Sequence, residues 1–261
     1  MNTKQQKLEA FSRLLDVMDN LREKCPWDRK QTNESLRHLT IEETYELSDA
    51  ILKNDGTEIK KELGDVLLHL VFYARIGSEK NQFDIADVCN SLCDKLIYRH
   101  PHIYGDVKAD TAEQVKENWE QLKLKEGNKS VLSGVAKGTP SIVKAIRMQE
   151  KAAQVGFDWP TPAQVWAKVD EELAELKEEF ETNPASEKTE KEFGDYLFSL
   201  INVARKYNIN PDDALEKTNL KFMKRFQFIE EKAKVLNKNL SDMTLEEMDA
   251  YWNEAKKIKP N

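Results

Sequence analysis

The sequence predicts an all-α protein, on the basis of its composition, its shortage of turn-forming residues and an internal repeat. Of the 261 residues, 33% are charged and 39% are hydrophobic, a balance that favours amphipathic helices over thick buried sheets. The 9 glycines and 8 prolines are too few for the many tight connections of a β-sandwich or barrel. No proline interrupts residues 27–100, so long helices are expected there.

The chain contains the same pattern twice. ELGDVLLHLVFYAR (62–75) corresponds to EFGDYLFSLINVAR (192–205), and IEETYEL (41–47) to DEELAEL (170–176). Self-similarity at this distance indicates two copies of one helical unit of roughly 120 residues. A glycine-rich stretch between the copies is typical of a linker. The prediction is unit 1 over 1–125, a linker over 126–140 and unit 2 over 141–261, each unit with four or five helices.

Hydrophobic periodicity predicts the helices of each unit in order. In unit 1 they are expected over 4–23, 33–53, 57–77, 84–99 and 111–125. In unit 2 they are expected over 141–154, 162–182, 186–207, 212–236 and 244–257. Asn183-Pro184 separates two of these helices, because the residue before proline avoids the α region. Pro211 fits a first helical turn, and Thr244 with Glu247 predicts a capping box.

Paired acidic residues are the main chemical signal of the sequence. In unit 2, Glu172 and Glu175 share one face of a helix, and Glu192 and Asp195 share one face of the next. A helical hairpin would bring the four carboxylates together, and such a cluster is strongly repulsive without a divalent cation. Oxygen ligands favour Mg²⁺, with Mn²⁺ as an alternative. The corresponding ligands in unit 1 are Glu43, Glu46, Glu62 and Asp65.

An acidic run of this kind is more often a solvated helix face, and three features oppose that interpretation here. Glu192 and Asp195 precede a strongly apolar segment. Gly194 lies inside a predicted helix, where it costs about 1 kcal/mol relative to alanine, so a close approach by a neighbour or ligand is expected. The whole arrangement also occurs twice.

With these motifs on view, the sequence resembles the MazG family of nucleoside triphosphate pyrophosphohydrolases. The resemblance rests on EETYE with KKELGD, on EELAE with EKEFGD, and on CPWDRKQT (25–32), RHPH (99–102), VGFDW (155–159) and KFMKRF (221–226). It implies an all-α fold, Mg²⁺ dependence and a homodimer. It also implies hydrolysis of nucleoside triphosphates, ATP among them, to the monophosphate and pyrophosphate, as house-cleaning of the nucleotide pool.

A bound triphosphate requires cationic side chains beside the acidic cluster. Lys221 and Arg225 share a predicted helix face, and Trp252 could stack on a base. The resemblance implies nucleotide binding by Lys168, Glu171, Lys188, Lys191, Lys221, Arg225 and Trp252. It implies catalytic roles for Glu171, Glu172, Glu175, Glu192 and Asp195, with water attacking the α-phosphorus. The general base stays open between Glu171 and the metal ligands.

The two units differ in their cations. Lys168 of unit 2 corresponds to Leu39 of unit 1, and Lys188 corresponds to Glu58. Unit 1 therefore lacks two positive charges and gains one carboxylate. We predict that unit 2 is catalytic and that unit 1 is weakly active, structural or regulatory.

Several functional classes are excluded or disfavoured. The net charge of -7 opposes nucleic-acid binding, and the longest apolar run, 66–74, is too short to cross a membrane. Three cysteines and the absence of a visible secretory signal favour the cytoplasm. Cys89 and Cys93 are interpreted as packed small side chains rather than zinc ligands. No P-loop or dinucleotide-binding glycine motif is present.

Two alternatives remain open at this level. The chain could be a helical metal phosphohydrolase for a narrow nucleotide such as dUTP. It could also be a non-enzymatic interaction module whose carboxylates are solvated.

Overall fold

The computed structural model describes residues 1–111, 114, 115, 118, 119, 122 and 130–258, and the regular elements of these residues are all helical. The prediction of an all-α fold is confirmed. Contacts divide the chain into two compact units, Met1–Leu122 and Lys123–Asn261. Part of the helix expected over 111–125, and residues 126–129 of the predicted linker, lie outside the described residues. Among the described helices, none is both long and apolar enough to cross a membrane.

Unit 1 is built around a helical hairpin. Its helices are α1 (Lys4–Lys24), α2 (Asn33–Leu52), α3 (Gly56–Glu79), α4 (Ile85–Arg99) and the short α5 (Pro101–Tyr104). A single 3₁₀ turn, Asp28–Lys30, follows α1. Helices α2 and α3 pack together, and α1 and α4 pack on α3. The buried core consists of Met18, Leu36, Val71, Phe72 and Ile76.

Unit 2 contains two helical hairpins, and the first of them repeats the hairpin of unit 1. Its helices are α6 (Ser141–Gln154), α7 (Pro162–Thr182), α8 (Glu187–Lys206), α9 (Pro211–Val235) and α10 (Leu245–Lys257), with 3₁₀ turns at Val131–Gly134 and Leu240–Asp242. Helix α7 packs on α8, and α9 packs on α10. Val165, Val169 and Val203 form the core of the first hairpin, and Ile229, Ala233 and Met243 form that of the second.

The helix bounds agree with the predicted ones to within two residues wherever both ends are described. Asn210 caps α9 with Pro211 at its start, and Thr244 and Glu247 form the predicted capping box of α10. The four-residue helix α5 was not predicted, since one turn is too short to show a hydrophobic period.

Asparagine explains how a glycine-poor chain ends its helices. In the described residues, the non-glycine positions with positive φ are Asn54, Asn81, Asn208 and Asn237. Each lies two residues beyond a helix, and the next residue donates its N–H to a carbonyl in the last turn, as Asp55 does to Ala50 at 3.1 Å. This left-handed ending is usually supplied by glycine, and asparagine is the residue that most readily replaces it.

Candidate active site

The α2–α3 hairpin of unit 1 brings three of its four predicted carboxylates together. Glu43 from α2 and Glu62 and Asp65 from α3 each place one carboxylate oxygen within 4.8 Å of the other two. The fourth residue, Glu46, is exposed and lies outside this group. Partial burial, with the negative charges of Asp65 and Glu46, raises the pKa of Glu43. The hairpin thus concentrates negative charge, as the repeated i, i+3 spacing predicted.

Glu62 is the most deeply buried member of this group, with 3% of its surface exposed. Its Oε1 accepts a hydrogen bond from Lys61 Nζ at 2.8 Å. Its Oε2 is buried and has no hydrogen-bond partner among the described residues. A buried carboxylate oxygen without a partner is costly, and a hard cation would satisfy it. The donor set and this oxygen both fit a divalent metal ion.

A polar network lies next to the unit 1 cluster. The Oγ1 of Thr40 is 2.7 Å from His69 Nδ1 and 2.7 Å from the hydroxyl oxygen of Tyr73. His69 is buried, and its burial lowers the pKa of the imidazole, with Asp65 acting in the opposite direction. Sequence reasoning did not identify this network, although a histidine inside the apolar run 66–74 was a signal for it.

The α7–α8 hairpin of unit 2 forms the corresponding cluster. Oxygens of Glu172, Glu192 and Asp195 lie within 4.8 Å of one another. Glu175 is exposed and outside the group, yet it is close enough to act on Glu192. Partial burial and the charges of Glu175 and Asp195 raise the pKa of Glu192. Here the buried carboxylate is Glu172.

Lys168 is the predicted cation that the structure places directly on this cluster. Its Nζ is 2.6 Å from Glu172 Oε1 and 2.8 Å from Glu171 Oε1. Hydrogen bonds to Glu171 and Glu172 raise the pKa of Lys168, so the ammonium form persists. Glu171 is therefore tied to the cluster through Lys168.

The other predicted cations have different partners. Lys188 pairs with Glu179 across the hairpin, and Lys191 pairs with Glu187 at 2.9 Å on the exposed face of α8. Lys188 nevertheless remains near the cluster, since its pKa is raised first by Glu179 and to a smaller extent by Glu192.

A second group of predicted residues lies on the α9–α10 hairpin. The guanidinium carbon of Arg225 is 5.4 Å from the centre of the Trp252 ring. Phe222 also contacts this ring, with centroids 5.1 Å apart. Lys221 is exposed on the same helix. The structure therefore shows a basic and aromatic surface here, and this surface and the carboxylate cluster belong to the same unit.

One expectation from the sequence is wrong, and no neighbour in the described part of the chain meets another. Cys89 and Cys93 are exposed on α4 rather than packed. A Cβ added at Gly194 would meet nothing within 4 Å, and the same holds for the corresponding Gly64. No close neighbour within the described part of the chain therefore accounts for either helical glycine.

Comparisons with known proteins identify the family of the chain. The model of the MazG nucleotide pyrophosphohydrolase domain matches residues 31–104. Over 251 residues the chain is 43% identical to the nucleoside triphosphate pyrophosphohydrolase/pyrophosphatase MazG of Thermotoga maritima, covering 94% of this chain and 95% of that protein. It is 36% identical over 258 residues to the nucleoside triphosphate pyrophosphohydrolase of Escherichia coli strain K12, covering 96% and 98%.

A solved structure is also similar, that of a mazG-related protein from Thermotoga maritima. It is 26% identical, covers 43% of this chain and 98% of its own, and has a TM-score of 0.39. The full-length identities decide the matter: the chain belongs to the MazG family of nucleoside triphosphate pyrophosphohydrolases. The residues matched by the domain model lie in unit 1, where Leu39 and Glu58 correspond to Lys168 and Lys188 of unit 2.

Proposed function

We propose that the chain hydrolyses nucleoside triphosphates to the monophosphate and pyrophosphate, and that the unit 2 cluster is the catalytic centre. One observation carries the assignment to unit 2. Glu172, Glu192 and Asp195 converge from neighbouring helices, and Lys168 lies on the same cluster. Acidic groups that hold a cation, with a lysine available for phosphate, are the parts that phosphoryl chemistry requires. The pyrophosphohydrolase names of the full-length relatives supply the reaction.

The metal ion is proposed to be Mg²⁺, with Mn²⁺ as a substitute, because all the converging ligands are carboxylate oxygens. Glu172, Glu192 and Asp195 would hold it, and Glu175 is positioned on the same helix as Glu172 to join them. When bound, such an ion lowers the pKa of a water molecule and neutralises phosphate charge.

Other side chains of unit 2 are proposed to bind the phosphates, orient the attacking water and bind the nucleoside. Lys168 and Lys188 lie on the cluster's hairpin and offer ammonium groups to the phosphates. Glu171 lies outside the three-carboxylate group, so it can orient the attacking water while the others hold the cation. Lys221, Arg225 and Trp252 are proposed to bind the nucleotide, with the Trp252 ring stacking on the base. Lys191 is also proposed to bind the nucleotide. Stacking alone reads no base edges, so a broad substrate range is expected.

Unit 1 is proposed to be weakly active, structural or regulatory. Its cluster is formed, but Leu39 packs against the apolar core in place of Lys168. Glu58 replaces Lys188 and lines a groove of about 590 Å³ whose charged residues are Glu42, Glu46, Asp49, Lys53, Glu58, Lys61 and Glu62. The carboxylates outnumber the two lysines, so the groove disfavours a polyanion.

Pyrophosphate release from single variants tests the assignment. Glu172→Gln keeps the size of the side chain and removes its charge, so at least a hundredfold loss of activity is expected if Glu172 holds the metal. Glu43→Gln makes the same change in unit 1 and should leave more than half of the activity. The reverse result would move the active site to unit 1.

Hydrolysis in ¹⁸O water tests which phosphorus atom is attacked. The label should enter the monophosphate, and label in pyrophosphate would contradict attack at the α-phosphorus.

We further propose a homodimer. Leu63, Leu67 and Leu70 are exposed on α3, and Val88, Leu92 and Leu96 are exposed on α4. Apolar residues at such helical spacing usually pack against a partner, and a second copy would also cover Cys89 and Cys93. Leu92→Asp should convert the dimer to a monomer in sedimentation, and an unchanged mass would exclude this face.

The three cysteines are free thiols, which supports a reducing compartment such as the cytoplasm.

A further inference from the structure

Lys168 serves as the counter-ion of a nearly buried carboxylate. Its Nζ lies 2.6 Å from Glu172 Oε1, and the exposed fractions of the two side chains are 34% and 9%. A carboxylate with so little access to water requires a partner. Lys168 reaches it because residues four apart lie on the same helix face. The same ammonium group also binds Glu171 Oε1 at 2.8 Å, so it is held by two acceptors.

The same carboxylate belongs to the cluster that would hold the metal ion. An oxygen of Glu172 lies within 4.8 Å of oxygens from Glu192 and Asp195. An ammonium group and a divalent cation on one carboxylate repel each other, and partial burial strengthens that repulsion. The two cations therefore compete for Glu172.

Unit 1 has no such competition at the corresponding glutamate. Leu39 replaces the lysine and packs against the apolar core, so no ammonium group comes from the preceding turn of α2 to Glu43. The lysine of this cluster is Lys61, which binds only Oε1 of Glu62. The other oxygen, Oε2, is buried without a hydrogen-bond partner among the described residues.

We propose that the divalent cation displaces Lys168 from Glu172, and that the released ammonium group then binds the phosphates of the nucleotide. This inference rests on the proposed metal site of unit 2 and adds an order to its assembly. The metal ion alone binds weakly, because it must break an ion pair. The nucleotide strengthens metal binding, because it provides a new partner for Lys168. Metal and nucleotide binding are then coupled, and each must increase the affinity for the other by the same factor.

The test measures Mn²⁺ binding to the full chain by electron paramagnetic resonance of the free ion. Unit 1 is silenced in every sample by Glu43→Gln with Asp65→Asn, so that binding reports on unit 2. In this background, Lys168→Met should bind Mn²⁺ alone at least fivefold more tightly than the parent. A triphosphate with a methylene group between its α- and β-phosphates should tighten Mn²⁺ binding of the parent at least fivefold, after subtraction of the Mn²⁺ that the analogue holds in solution without protein. It should tighten Mn²⁺ binding of Lys168→Met by a clearly smaller factor, because only the part of the coupling that passes through Lys168 is lost.

Lys238→Met is the matched control. Lys238 Nζ binds the two oxygens of Glu247 at 2.8 and 2.6 Å, nearly the distances at Lys168, but at carboxylate oxygens outside the cluster. Its Mn²⁺ affinity should equal that of the parent. Lys168→Gln removes the charge and keeps a polar side chain, and it should behave like Lys168→Met if the latter folds poorly.

The two ways in which the test can fail are distinguishable. Equal or weaker Mn²⁺ affinity in both Lys168 variants, with binding still lost on Glu172→Gln, overturns the displacement and leaves the metal site intact. Mn²⁺ binding that is indifferent to Glu172→Gln overturns the proposed metal site, and this inference with it.

Discussion

The α2–α3 and α7–α8 hairpins carry the same acidic residue types in the same order, yet they bury different members of the set. In unit 1 the buried carboxylate is Glu62, on the second helix of the hairpin; in unit 2 it is Glu172, on the first. In both cases a lysine contacts the buried carboxylate, Lys61 in one and Lys168 in the other. The position of one lysine thus separates two otherwise similar clusters, because a buried carboxylate requires a cationic partner.

Each carboxylate cluster has a neighbouring layer of three residues on the hairpin, and this layer differs between the units as well. Thr40, His69 and Tyr73 form a polar network in unit 1. The corresponding residues of unit 2 are Val169, Ser199 and Val203, of which both valines belong to the apolar core, while Ser199 donates a hydrogen bond to the Tyr196 carbonyl at 2.8 Å. At these three positions the hairpin has a hydrogen-bonded network in unit 1 and mainly apolar packing in unit 2, although both hairpins also have an apolar core.

Among exchanges between the two units, the largest effect is expected when unit 2 is made to resemble unit 1. Lys168→Leu introduces the residue that unit 1 has at this position, and kcat/KM should fall roughly 10- to 100-fold, as for loss of a hydrogen bond to a charged group. Steady-state pyrophosphate release measures the change. Glu58→Lys in unit 1 is the control, because it adds a lysine while Leu39 remains; it should alter activity less than twofold. Equal effects of the two substitutions would contradict the assignment of catalysis to unit 2.

A reciprocal exchange of hydroxyl and methyl groups probes the two layers. Thr40→Val leaves His69 and Tyr73 without their shared partner, and the free energy of unfolding should fall by about 1–3 kcal/mol. Val169→Thr places a hydroxyl in the apolar core of unit 2, and a similar loss is expected because the new group has no partner. Urea denaturation measures both. A stabilising Thr40→Val would show that the network does not support unit 1.

The pH dependence of stability should differ between the two layers because only unit 1 contains the histidine. Burial lowers the pKa of His69 in the folded protein, whereas an unfolded histidine binds its proton near pH 6.5, roughly its ordinary pKa. Protonation therefore favours the unfolded chain, and stability is lost as the pH falls below about 6.5, until the folded imidazole also takes up a proton.

His69→Gln isolates this contribution, since glutamine can still hydrogen-bond but does not titrate. Between about pH 7.5 and 5.5, which spans the ordinary histidine pKa, the wild-type protein should lose more unfolding free energy than the variant. The difference in slope cannot exceed about 1.4 kcal/mol per pH unit, the value for one proton. Parallel pH profiles would indicate that His69 is protonated equally in both states.

The sequence predicts the parts of these hairpins that depend on local rules. Periodicity and the Asn183-Pro184 break predict α7 over residues 162–182, the range observed. The i, i+3 spacing on each helix predicts the convergence of Glu172 with Glu192. The choice of partner is not local. Lys188 has both Glu192 and Glu179 within reach, and its pairing with Glu179 depends on how the two helices pack. Which carboxylate is buried likewise depends on packing, because the sequence shows the same i, i+3 acidic spacing on both helices and does not distinguish the four positions.

The smallest effect concerns the helical glycines, Gly64 in unit 1 and Gly194 in unit 2. An alanine methyl group at either position would point into open space, and alanine is favoured over glycine in a helix interior by about 1 kcal/mol. Gly64→Ala and Gly194→Ala should therefore each raise the unfolding free energy by about this amount. If a nucleotide or a second copy of the chain approaches Gly194 during function, Gly194→Ala should also raise KM or weaken dimerisation. Stability gained without either loss would show that nothing approaches this face, and that the glycine has no role at the site.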